Sequence, residues 1–134
     1  MTRFVKPGRV VLMTNGRFAG RKAVVLQSTD AKTKERKYGH AVVAGIKKYP
    51  KRVLRGMSKR RIQRRSHVGV FLRIVNQKHF FATRYNMDLS KELRGRVSVA
   101  DTPRKNKSRR LLQKLFQARH NENKNRWFFQ KLRF

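Results

Sequence analysis

Thirty-seven lysines and arginines stand against six aspartates and glutamates in this chain, a formal net charge of +31 on 134 residues. A fold with that imbalance repels itself unless a polyanion surrounds it. Nucleic acid is the natural neutraliser, since its dense phosphates release condensed counterions when Lys and Arg replace them. The charge is not gathered in one tail. After Glu35 no acid appears until Asp88, and basic residues recur throughout that stretch. A partner that encloses much of the protein is therefore expected.

A chain of 134 residues, 38% of them hydrophobic, has room for one modest core plus extensions and is not expected to be wholly disordered. It has no cysteine, hence no disulfide framework and no thiolate metal site, in keeping with a reducing compartment. The opening Met1-Thr2-Arg3-Phe4-Val5-Lys6-Pro7-Gly8 lacks a long apolar run, so no signal peptide is expected. No stretch approaches the ~20 apolar residues of a membrane span. These features suggest a soluble, intracellular protein with no membrane partner.

The first fifty residues read as β structure. Val10-Val11-Leu12-Met13 and Ala23-Val24-Val25-Leu26 are short apolar runs joined by a loop holding Gly16 and Gly20, a hairpin signature. His40-Ala41-Val42-Val43-Ala44-Gly45-Ile46 is a third strand. Strands this short and this closely spaced predict a small barrel, whose closure would leave no long open edge. From 47 to 65 the character changes to an arm or short helix crowded with Lys47, Lys48, Lys51, Arg52, Arg55, Lys59, Arg60, Arg61, Arg64 and Arg65. Then Val68-Gly69-Val70-Phe71-Leu72-Arg73-Ile74-Val75 and His79-Phe80-Phe81-Ala82-Thr83-Arg84-Tyr85 predict a second hairpin, with Asn76-Gln77-Lys78 as its turn.

The clearest helix signal covers 103–120. Thr102 is the expected N-cap, Pro103 suits the first helical position, and Asp101 suits the positive end of the dipole. Leu111, Leu112, Leu115 and Phe116 make its apolar stripe, flanked by Arg109, Arg110, Lys114 and Arg119. The chain then interleaves Arg126, Lys131 and Arg133 with Trp127, Phe128, Phe129 and Phe134. These aromatics either fold back into the core or stack on bases and seat in protein pockets. Ordering of this tail only on docking is the expectation carried forward. The resulting organisation is a small barrel over 1–86, with a basic insertion at 47–66, and an extension over 87–134.

Catalysis is not indicated. The acids Asp30, Glu35, Asp88, Glu92, Asp101 and Glu122 form no close pair in sequence, and no serine sits in a nucleophile context. His40, His67, His79 and His120 are too dispersed for a local zinc motif. Gly16-Arg17-Phe18-Ala19-Gly20-Arg21-Lys22 superficially resembles a nucleotide loop but lacks its Gly-Lys-Ser/Thr ending and precedes a strand. The expectation is no metal, no cofactor and no small-molecule substrate. Arg17, Arg21 and Lys22 are instead expected to project from the loop toward phosphate. The 47–65 arm, without a single acid, is expected to bind nucleic acid rather than act as an ordinary solvated face, which mixes signs.

The stretch from Lys6-Pro7-Gly8-Arg9-Val10 through Arg21-Lys22-Ala23-Val24-Val25 resembles a KOW motif, a strand-loop-strand unit of RNA-binding small barrels. With His40-Ala41-Val42-Val43-Ala44-Gly45-Ile46, Tyr49-Pro50, Thr83-Arg84-Tyr85 and Trp127-Phe128-Phe129-Gln130-Lys131-Leu132-Arg133-Phe134, the chain resembles the eukaryotic large-subunit ribosomal protein twenty-seven family. That resemblance implies a mainly β fold, a Src-homology-3-like small barrel with a C-terminal helical extension. It implies a structural constituent of the cytosolic large subunit, bound to large-subunit ribosomal RNA and neighbouring ribosomal proteins. It further implies nuclear and nucleolar passage for assembly, no catalysis and no homo-oligomer. A KOW-containing assembly or transcription elongation factor is the alternative, and a basic DNA-packaging protein a more distant one.

Overall fold

The structure, a computed structural model, describes residues 4–93 and 96–133. Five strands form one antiparallel sheet among the described residues: β1 Arg9–Met13, β2 Lys22–Thr29, β3 His40–Lys48, β4 Gly69–Asn76 and β5 Phe80–Asn86. Helices α1 Lys59–Arg65, α2 Ser90–Leu93 and α3 Thr102–Asn121 complete the chain. The strand order is β4-β3-β2-β1-β5. The fold is therefore mainly β with a helical extension, a small Src-homology-3-like sheet.

It is not a closed barrel. β4 and β5 occupy opposite edges, and the hairpin expected between them does not form. A 3-10 turn at Gln77–His79 is the reason. The Asn76 side chain caps it by accepting from the Lys78 amide at 2.9 Å, and the Gln77 amide bonds the Gly39 carbonyl at 3.1 Å. The turn carries the chain out of the β4 ladder and across to β1, where Val11 pairs with Ala82 and Met13 with Phe80.

Register irregularities interrupt three ladders, at Arg9/Val11, Val25/Gln27 and Ile46/Lys48. Such bulges sharpen the local twist and curl a short sheet. On one face Val11, Ala23, Val25, Val43, Phe71 and Phe80 form one core. Phe71 stacks on Phe18 with centroids 4.2 Å apart, and its ring crosses directly over Gly45. A Cβ at Gly45 would lie 2.4 Å from the Phe71 ring and 2.8 Å from the Ala23 Cβ, so only glycine fits this crossing.

Val10, Val24, Ala44, Ile46, Val70 and Leu72 line the opposite face, and they too are buried. They are covered by Leu112 and Phe116 of α3 together with Met87, Leu89, Leu93, Phe128 and Phe129. Both faces of the sheet are thus apolar and covered, which is why its strands read as continuous hydrophobic runs. α3 is N-capped by Asp101, one residue before the expected Thr102, and Asp101 Oδ1 accepts from the Arg104 amide at 3.1 Å.

Side-chain bonds fasten the extension. Gln117 accepts from the Val68 amide at 3.0 Å and donates to the Ser66 carbonyl at 2.9 Å, fixing α3 to the chain just before β4. Arg119 ion-pairs with Glu92 at 2.7 Å, donates to the Asp88 carbonyl at 2.8 Å and reaches Asn125 at 3.2 Å. The Glu92 carboxyl is held below its usual range by its own backbone N–H and then by Arg119. No helix among the described residues is long and apolar enough to cross a membrane.

Candidate nucleic-acid interface

The β1–β2 loop turns tightly because Gly16 and Gly20 adopt φ of 86° and 81°, where a side chain is strained. The Gly20 amide bonds the Met13 carbonyl at 2.6 Å, closing the loop. Of its three expected phosphate contacts only Arg17 is exposed, 5.5 Å from the centre of the Phe18 ring. Arg21 is half-buried: it donates to the Lys47 carbonyl and lies 5.9 Å from the Tyr49 ring centre.

Lys22 points inward, against expectation. It is 1% exposed, and its Nζ donates to the carbonyls of Trp127 and Gln130, each at 2.6 Å. The same ammonium lies 3.9 Å from the Trp127 ring centre. Burial pushes its pKa down from 10.5 to about 8, while the carbonyls and the ring face favour the charge. Lys22 is a clasp between β2 and the tail. The register explains the mistake, because β2 begins at Lys22 and its first side chain falls on the face that the extension covers.

The tail is likewise an internal element. Phe128 and Phe129 are 2% and 5% exposed. They pack edge-to-face with each other at 5.3 Å and with Phe116 at 5.4 and 6.3 Å. Their rings belong to the core and are unavailable to a base, which corrects the expectation of a tail that orders only on docking. Trp127 is half-buried, with Tyr85 stacked on it at 4.3 Å and Lys22 at 3.9 Å. Two groups that near its centre do not share a face, so both faces of the indole are occupied. Phe134 lies outside the described residues.

The arm behaves otherwise. Lys47, Lys48, Lys51, Arg52, Arg55, Lys59, Arg60, Arg61 and Arg64 are all exposed. Helix α1 buries no residue of its own; the Ser58 side chain caps it, and Arg64 and Arg65 sit in its last turn, where cations suit the dipole. Its root is closed by the Lys51 amide bonding the Arg65 carbonyl at 2.6 Å and by Arg65 Nε donating to the Arg52 carbonyl at 2.7 Å. Arg65 is thus a half-buried strut, and the other nine cations stand outward on a folded projection.

Arg84, Arg110, Arg126, Lys131 and Arg133 are exposed, and Arg109 is half-buried. Arg73 is one of several exposed cations outside the expected set. It lies on β4, with its guanidinium 5.1 Å from the Phe18 ring centre on which Arg17 also converges. Alternation along β4 sets Arg73 on the same face as Phe71 and Val75, so the pattern alone predicts an inward side chain; it instead extends past the Phe18 ring to the surface. Ion pairs among the described residues use Arg36, Arg104, Arg119 and Lys124 as their cations. Neither the arm nor the tail from Arg126 onward takes part in any of them.

A small Src-homology-3-like sheet with a strongly cationic exterior defines a class of basic proteins suited to a polyanionic partner. The sequence matches the ribosomal L27e protein family over residues 10–134, and the chain belongs to that family. Membership makes it a large-subunit component of the cytosolic ribosome, structural rather than catalytic, with ribosomal RNA and ribosomal proteins as its partners.

Proposed function

We propose that this chain stabilises folded large-subunit ribosomal RNA through phosphate contacts, with the 47–66 arm as the principal contact and the sheet and extension as its support. The observation that carries this reading is the arm: nine exposed cations, no acid, and a helix that buries none of its own residues. A helix with no packing face contributes little to the core, so its conformation serves to present charge. Arginine predominates from Arg60 to Arg65, and its planar fork grips phosphate in two places where lysine acts as a point charge.

Reversal of Arg60, Arg61 and Arg64 to Glu tests the assignment. Glu is a good helix former and is favourable at 60 and 61 near the helix N-terminus. At 64, in the last turn, it opposes the dipole by at most about 1 kcal/mol, and α1 adds no buried residue to the core, so the fold survives the change. The variant is expected to keep its thermal melt and to be absent from large subunits purified through a high-salt wash. Normal incorporation would show that the arm is only a solvated face.

The same shell of like charge opposes self-association, so the free protein is a monomer; a sedimentation coefficient rising with concentration would contradict this. Its basic run suits nuclear import on the way to nucleolar assembly. A reporter fused to residues 47–66 that stays outside the nucleus would remove that step.

A further inference from the structure

The arm root and the C-terminal tail, distant in sequence, wall one groove of about 940 Å³. Lys51 and Arg52 stand on one wall, and Arg126, Lys131 and Arg133 on the other. All five are exposed, and among the described residues no Asp or Glu lines the groove. Lys124 also lines it but is paired with Glu122 at 2.9 Å. The floor is Trp127, Phe129 and His120; burial pushes His120 below its usual pKa, and it lies against Phe129 at 5.3 Å.

The wall formed by the tail is fixed from beneath. Asn123 and Asn125 adopt φ of 58° and 54°, a left-handed conformation that asparagine tolerates better than most residues. They reverse the chain after α3, and successive turn bonds follow from the Phe128 amide to Asn125, from Phe129 to Arg126 and from Gln130 to Trp127. Lys22 holds two carbonyls of this turn from inside the fold. Arg126 is therefore carried on a preorganised turn, and Lys131 and Arg133 follow directly from its fixed end at Gln130.

We propose that this groove seats an unpaired strand of ribosomal RNA, the cations of its two walls gripping successive phosphates. The inference rests on the RNA-binding reading above and adds the kind of RNA. A positively charged groove with aromatic side chains in its lining is the arrangement that tracks a single backbone. Both faces of Trp127 are occupied, so the strand is held by its backbone, with little preference among bases.

Fluorescence anisotropy with the full chain separates the two readings. The probes are an oligouridine of ~12 nucleotides, within the span a single groove of this kind engages, and a fully paired RNA hairpin. Arg126→Glu/Lys131→Glu/Arg133→Glu is expected to lose on the order of tenfold or more in oligouridine affinity while hairpin affinity changes by less than about threefold. Lys51→Glu, on the opposite wall and outside the tail turn, is expected to shift in the same direction. Arg60→Glu/Arg61→Glu/Arg64→Glu is expected to weaken the hairpin more than the single strand. Equal losses on both probes from the groove variants would overturn the groove while leaving RNA binding intact. Displacement of oligouridine by an oligoglutamate peptide as readily as by unlabelled oligouridine would reassign the groove to an acidic protein. Binding of neither probe by the unaltered chain would remove both readings together.

Discussion

Lys22 shows how one residue can invert the role its charge suggests. With its Nζ on two carbonyls and an indole, it ties β2 to the turn at 127–130. Replacement by Met leaves those carbonyls without their donor, and a destabilisation of roughly 1–3 kcal/mol is expected in chemical denaturation. The pH dependence has a definite sign. Because folding lowers the Lys22 pKa from 10.5 to about 8, the unfolded chain binds more protons within that interval. Stability from this group is therefore lowest below about pH 8 and rises until about 10.5. The melting temperature of the native chain is expected to gain on that of Lys22→Met as pH climbs through this window; a constant difference would show that Lys22 does not titrate there. Gly45 presents the complementary case, a residue defined by what it lacks. Gly45→Ala drives a methyl into the Phe71 ring and the Ala23 Cβ. A loss of about 1–3 kcal/mol is expected, and an unchanged melt would mean that the Phe18–Phe71 stack yields freely.

At the scale of elements, the sheet owes its second buried face to the extension. Phe128→Ala removes a ring that is 2% exposed and packed against Phe116 and Phe129. It is expected to cost roughly 3–5 kcal/mol in the free protein, read by denaturant titration. A melt unaffected by this change would restore the docking tail. The sequence held a sign of this arrangement. Val10-Val11-Leu12-Met13 and Ala23-Val24-Val25-Leu26 do not alternate, and strands apolar on both faces need cover on both. The strands were legible from those runs, but the cover was not, since the Trp-Phe-Phe cluster suits a core and an RNA pocket equally well. The β4–β5 hairpin failed for another reason. Asn76-Gln77-Lys78 reads as a reversal, yet the Asn76 cap and the Gln77–Gly39 bond wind it into a 3-10 turn, and that choice depends on a loop far away in sequence.

For the whole molecule, the distribution of charge was more legible than its local use. The arm could be read because a run without acids, and with only Val53, Leu54, Met57 and Ile62 as sizeable aliphatic residues, has too little apolar surface to turn its cations inward. Arg17, Arg21 and Lys22 are adjacent in one loop, but strand register and the tail divide them into one exposed, one half-buried and one buried residue. Only tertiary packing decides that division. The central claim is that exposed cations grip phosphate and that the arm supplies a large share of the grip. Its most direct test is RNA affinity measured across salt concentration for the native chain and for Arg60→Glu/Arg61→Glu/Arg64→Glu. With ~10 phosphate contacts, log affinity is expected to fall against log salt with a slope of about −7 to −9. The variant slope is expected to be shallower by about 2 to 3, near one unit for each lost contact. A native slope near zero, or a variant indistinguishable from the native chain in both slope and affinity, would contradict the account.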